Sequence, residues 1–198
     1  MSGLTPTRSL AVALREDQRT MQEGYVFLDE KCMLLAGEML RQVHAWESCK
    51  RLCEARLAEA RLALAGAIGR HGVNGLQVQP PAPGLWQLAV VSHLFFGVRL
   101  QQVSLNGTAG KPPAAPWPSP EAQACGAAYA ALLAPLAELA GHCGNLARLH
   151  ADYRRTVRRV RALQYVLLPE VESKLRDVDA ALEQIELDEA IVVRRLRR

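Results

Sequence analysis

Cys49 and Cys53 stand one helical turn apart, the spacing at which two thiolates can share a metal ion, and His44, His142, Cys143 and His150 are the residues that could complete such a site. None of these matches an established Cys/His zinc spacing. Thiols on an apolar helix stripe behave as small hydrophobes, so a packed seam is the expectation and a metal centre is not. Asn106-Gly107-Thr108 has the form of a glycosylation sequon, but the N-terminus MSGLTPTRSL has no basic stretch followed by an apolar one to direct secretion. Gly107 to Pro112 resembles a phosphate loop only in outline: its glycine spacing is two residues short, and Pro112 stands where a magnesium-binding Ser or Thr is needed. No Ser/His/Asp or Cys/His set and no pair of carboxylates can be placed in a cleft. The expectation is a chain with no catalytic residue, no cofactor and no metal.

One cluster remains. Arg154, Arg155, Arg158, Arg159 and Arg161 are the densest run of charge, and at 100° per residue they spread over about 160° of a helix, opposite Tyr153, Val160 and Leu163. They read either as a solvated helix face or as a cationic collar for a partner. A nucleic-acid stripe is disfavoured because no stacking aromatics interleave with the arginines. The net charge of +4 suits an acidic protein socket without requiring one.

The elements that carry these residues follow from apolar spacing. From Leu146 through Leu149, Tyr153, Thr156, Val160, Leu163, Leu167, Val171, Leu175, Val178, Leu182 and Ile185 to Val192 and Leu196, every step is three or four residues except across Glu189. Such a stripe predicts one long helix packed along a single seam. Leu10, Leu14, Met21, Tyr25, Leu28, Cys32, Leu35, Met39, Val43, Trp46, Cys53, Leu57 and Leu64 supply a matching stripe near the N-terminus, with polar lapses at Gln18 and Lys50.

The expected fold is mainly all-α: a long antiparallel two-helix coiled coil of the terminal segments, with a small central lobe holding a short β-hairpin. The segments are 1–70 (N-terminal helix), 71–120 (Pro/Gly-rich lobe) and 121–198 (C-terminal helix). Thr7 and Ser119 are the expected N-caps. Between Gly69 and Pro120 fall eight of the eleven prolines and seven of the fourteen glycines, which no continuous helix tolerates. Inside that insert, Leu85 to Leu105 is apolar and β-branched with Gly97 at its middle, the pattern of a hairpin. Residues 106–120 read as an extended proline-rich strap. Pro135 is a possible bend. At Pro169, steps of four, four and four from Leu163 to Leu175 predict local unwinding and a kink.

Five cysteines and no stretch of about 18 uncharged apolar residues point to a soluble protein of a reducing, cytoplasmic compartment.

The run from Tyr153 to Pro169 (YRRTVRRVRALQYVLLP) resembles the C-terminal helix motif of the D subunits of the V-type and A-type rotary ATPases, R-R-V-N-A-L-E-x-V-x-I-P. Pro6-Thr7-Arg8 is similar to that family's P-T-R, Gly24 to Glu38 to its G-x-x-L-L-K-x-K-R-x-x-L-x-x-E, and Phe95 to Leu100 (FFGVRL) to the M-G-V-K-V-P strand of its middle lobe. Arg161, Gln164 and Cys32 depart from the motifs. The resemblance implies a non-catalytic central rotor shaft that transmits torque between ATP turnover in a catalytic ring and proton or sodium transport. It implies as partners the catalytic and regulatory ring subunits, a small companion rotor subunit and a membrane-ring adaptor. No nucleic acid is expected, and membrane contact is expected only through partners. Expected ring contacts are Arg8, Arg154, Arg155, Arg158, Arg159, Arg194 and Arg195; expected companion contacts are Phe95, Phe96, Val98 and Leu100; the expected kink is at Pro169. The alternative weighed beside it is a coiled-coil component of a flagellar or type III export ATPase, or another helical-hairpin scaffold.

Overall fold

The computed structural model describes residues 5–78, 86–107 and 119–196. Helix α1 spans Arg8–Gln77, strands β1 (Gln87–Phe95) and β2 (Val98–Asn106) form an antiparallel hairpin, and helix α2 (Pro120–Ala162) passes through a π-helical turn (Leu163–Leu167) into helix α3 (Leu168–Leu196). The proline-rich strap lies largely outside the described residues.

Both long helical stretches begin on the expected caps. The Leu10 amide donates to Thr7 Oγ1 at 3.2 Å, and the Ala122 amide to Ser119 Oγ at 3.1 Å. Each hydroxyl satisfies one of the four amides that a helix start leaves without an intrahelical partner. Near its other end, α1 breaks helical geometry at Gly72 (φ 67°, ψ 168°), a backbone state that side chains disfavour. This glycine marks where the sequence pattern fades, although helix resumes to Gln77.

The chain forms two compact units. One comprises residues up to Leu34 with Tyr153 onward. Here α1 runs antiparallel to α3, in a register set by Arg8 to Glu186 (2.7 Å), Arg15 to Asp179 (3.0 Å) and Gln18 to Glu172 (3.4 Å). These pairs are exposed and individually weak, about 0.2 to 1 kcal/mol, so the apolar seam between them holds the helices. On the C-terminal side that seam is Thr156, Val160, Leu168, Val171 and Val178, all buried, with Leu163 and Leu175 half-buried. Leu167, which the spacing puts on the stripe, is 40% exposed; Leu168 replaces it.

The reason is arithmetic. Three successive steps of four residues drift by about 120° on an α-helix. The seam instead takes one step of five, from Leu163 to Leu168, and the Leu168 amide donates to the Leu163 carbonyl across it. That π-turn takes in one extra residue and returns Val171 and Leu175 to the seam. It ends directly before Pro169, which has no amide to give. Beyond the Arg8–Glu186 pair, α3 continues to Leu196 with Leu187, Ile191, Val192 and Leu196 each half exposed or more.

The other unit is Leu35–Asp152. Met39, Trp46, Cys53, Ala60 and Ala67 recur every seventh residue along α1 and are buried or half-buried, the repeat of a left-handed helix pair. Alanines at 60 and 67 (0% exposed) fill positions that a search for large apolar residues passes over. Cys49, Cys53 and Leu132 form one buried cluster of this unit, with Leu57 and Leu139 packed against it. One 18-residue window within Pro120–Leu196 reaches a mean hydropathy of 1.4. Of that window 22% is buried, and within α2 Cys125 and Leu132 are buried in this unit.

Candidate functional site

Polar chemistry in the Leu35–Asp152 unit is spent on holding elements together. The Cys49 thiol donates to the Pro135 carbonyl at 3.2 Å, and Trp46 Nε1 donates to the Cys143 sulfur at 3.2 Å. His142 Nδ1 meets Gln42 Oε1 at 2.9 Å, and Gln42 donates to the buried Glu38 carboxylate, which also pairs with Arg41. At the far end, Arg70 bonds Glu121 and His71 bonds Ser119. Glu121 is held below the usual carboxylate range by backbone amide donation and then by Arg70. Among the described residues, no three His, Cys, Asp or Glu side chains converge as metal ligands would.

Burial pushes the Cys49 thiol up to about 11, with Cys53, Glu138 and Cys143 adding to the shift. A thiol raised in the folded state favours folding below its ordinary value near 9, and that preference is lost as pH rises through 11. Stability is therefore expected to fall between pH 9 and 11, and to fall less steeply in Cys49→Ala. Thiol titration at pH 8 should label the exposed Cys143 first and Cys49 only on unfolding.

The hairpin is placed by two residues that sequence patterning missed. Phe96 and Gly97 both have positive φ (46° and 87°), the requirement of the mirror-image two-residue turn, and this sets the register Phe95 to Val98 through Gln87 to Asn106. In that register Gln101 turns its amide and carbonyl away from β1. Asn145 takes both, accepting from the Gln101 amide at 2.8 Å and donating to its carbonyl at 2.9 Å, while Arg148 donates to the same Oδ1 at 2.7 Å. One side chain of α2 thus stands in for a neighbouring strand. One turn earlier, a Cβ on Gly141 would lie 3.0 Å from Val103 Cγ2, so glycine lets β2 approach the helix. No family motif quoted above contains either residue; only the i, i+4 spacing of Gly and Asn hints at a close backbone approach. An open polar cleft of about 340 Å³ lies beside this contact, lined by Gln42, His93, Glu138 and His142 among others.

The structure distributes the expected site residues unevenly. Val98 (5%) and Leu100 (0%) are buried within the chain. Phe96 is 48% exposed at the turn, its ring edge-on to Phe95 with centroids 5.2 Å apart. Arg8 is engaged by Glu186. Arg154, Arg155, Arg158 and Arg159 are all exposed on the side of α2 away from Thr156 and Val160, and none pairs with an acidic group among the described residues. Arg194 and Arg195 lie exposed in the last turn of α3. Pro169 is exposed directly after the π-turn.

Comparison with known proteins gives these features a context. The family model for the ATP synthase D subunit matches residues 11–198. A V-type ATP synthase D subunit of Anaeromyxobacter dehalogenans (strain 2CP-C) is 31% identical, covering all of this chain and 97% of the relative. The protein of the same name from Thermus thermophilus is 29% identical over all of this chain and 89% of its own length.

Proposed function

The chain belongs to the ATP synthase D-subunit family and is a central stalk subunit of a V/A-type ATPase, and on that premise we propose that it transmits torque without catalysing any step itself. The catalytic and regulatory subunits of the ring surround its terminal helices, and a companion rotor subunit and a membrane-ring adaptor engage the rest. The assembly holds it at the cytoplasmic face of a membrane that the chain itself does not touch.

One observation carries the mechanical reading. Four arginines stand exposed and unpaired among the described residues, on the helix side opposite a buried seam. A stator contact that is remade at every step must be strong in sum and weak in each part. Exposed ion pairs of under about 1 kcal/mol meet that condition. Arg154, Arg155, Arg158 and Arg159 face acidic or polar loops of the ring, and Arg194 and Arg195, with the exposed Ile191, Val192 and Leu196, engage it at the tip of α3. Pro169 and the π-turn give the stalk an uneven outline at that level. Its angle then sets which site is open through differential contacts. The companion subunit contacts the hairpin through Phe96 and the exposed strand β1. An export coiled coil would have no use for that hairpin, and the family match does not favour it.

Arg154→Glu with Arg158→Glu is the test. In vesicles reconstituted with the complete ATPase, the double variant should keep ring ATP turnover while ion transport per ATP falls severalfold, more at low salt than at high salt. Unchanged coupling would remove the collar from the mechanism.

A further inference from the structure

The two edges of the hairpin are treated differently. The free edge of β2 is engaged by Asn145 and closed by the approach at Gly141. Among the described residues, the free edge of β1 has no counterpart. In the observed register, Leu88, Val90, Ser92 and Leu94 form the pairs that do not bond across the hairpin, so their amides and carbonyls point outward. Among the described residues, no backbone or side-chain hydrogen bond reaches them.

Proteins ordinarily protect such an edge with lysine, proline, a bulge or a covering element. The sequence of β1, QLAVVSHLF, contains no proline and no Asp, Glu, Lys or Arg, and its nine residues pair with β2 without a bulge. Leu88 (63%), Val90 (51%) and Leu94 (72%) stand exposed on one face and Val91 (65%) on the other. The chain's own neighbouring segments are poor occupants. Residues 79–85 contain three prolines and residues 108–118 four, and each proline lacks the amide that a ladder needs.

We propose that β1 is the docking edge for an extended strand of another subunit of the ATPase, which adds to the hairpin as a third antiparallel or parallel strand. The inference rests on the stalk reading above and specifies how one partner is held. Outward backbone groups at four alternate residues call for an extended backbone, not a helix or a charged loop. The incoming segment is at least about five residues long, uncharged and free of proline at alternate positions. Its apolar or β-branched side chains lie beside Leu88, Val90 and Leu94.

Residue-resolved amide exchange on the chain alone and in the fully assembled ATPase tests this. In the free chain, Leu88, Val90, Ser92 and Leu94 exchange fast, while Ala89, Val91, His93 and Phe95 are protected by β2. On assembly the first set should slow by roughly tenfold or more. Val90→Pro deletes one outward amide and spares the ladder. It should weaken incorporation by about tenfold while the inward amides stay protected, and Val90→Thr should incorporate normally. An assembled complex in which the outward amides exchange as in the free chain overturns the proposal and leaves the stalk reading intact. Protection already present in the dilute free chain, or appearing only with its concentration, assigns the edge to the chain itself or to a second copy and overturns it as well. Failure of the wild-type chain to enter the complex would end the stalk reading, and this proposal with it.

Discussion

Asn145→Ala should release the hairpin from α2 at a cost of about 2 to 4 kcal/mol, because it strands the part-buried amide and carbonyl of Gln101 at once. Asn145 is 4% exposed, so water cannot replace the amide without opening the contact. Arg148 would lose its acceptor too. The effect is readable as a lower urea midpoint and as loss of dispersion in the amide signals of β1 and β2, with the signals of α3 unchanged. Gly141→Val tests the same joint by volume. With a Cβ already 3.0 Å from Val103 Cγ2, the added methyls must push β2 off the helix, a penalty of about 1 to 3 kcal/mol. The two variants share a contact, so their combined cost should fall short of the sum. A fully docked hairpin in Asn145→Ala would show that apolar packing of Leu100 and Val98 holds it unaided.

Deleting Tyr165 should abolish the π-turn and leave the unit that contains α3 folded. Tyr165 is 69% exposed, and its removal turns the five-residue step from Leu163 to Leu168 into a four-residue one, so the Leu168 amide can bond in ordinary α geometry. The seam residues Val160, Leu163, Leu168 and Val171 remain in register. Stability should therefore change by no more than about 1 kcal/mol. Function should not survive as well. If the bulge gives the stalk its uneven outline, ion transport per ATP should drop severalfold in the reconstituted complex. By contrast, Pro169→Ala should keep the π-turn, because the five-residue step is still present. A deletion variant that couples normally would reduce the π-turn to a packing accommodation; one that unfolds would show that the extra residue is needed for the seam.

How far the sequence leads depends on what each residue has to signal. Helix starts are legible because Thr7 and Ser119 sit where a hydroxyl must meet an orphan amide, and both do so. The hairpin is legible because Gly97 interrupts a β-branched run. The stutter before Pro169 is legible too, but its resolution is not: spacing alone cannot say whether a helix answers four-residue steps by supercoiling or by a bulge, and Leu167 and Leu168 exchange places between the two. Ala60 and Ala67 are invisible to apolar patterning, which weighs size, although close helix approach selects for smallness. Asn145 and Gly141 escape for a related reason. Their role depends on a strand more than 35 residues away in sequence, and no local period records it. Val98 and Leu100 are apolar as expected, yet apolarity does not distinguish a side chain that closes its own fold from one offered outward.

The turn residue Phe96 reveals where this molecule accepts discomfort. Its φ of 46° is a left-handed conformation that costs a bulky side chain about 1 to 2 kcal/mol, and asparagine or glycine beside Gly97 would occupy it at ease. The hairpin keeps an aromatic ring there regardless, braced edge-on by Phe95 and about half exposed. Selection of this loop for robustness alone would favour exchanging that phenyl group for a smaller residue. Local folding preference alone gives no reason for a phenyl group in so awkward a seat.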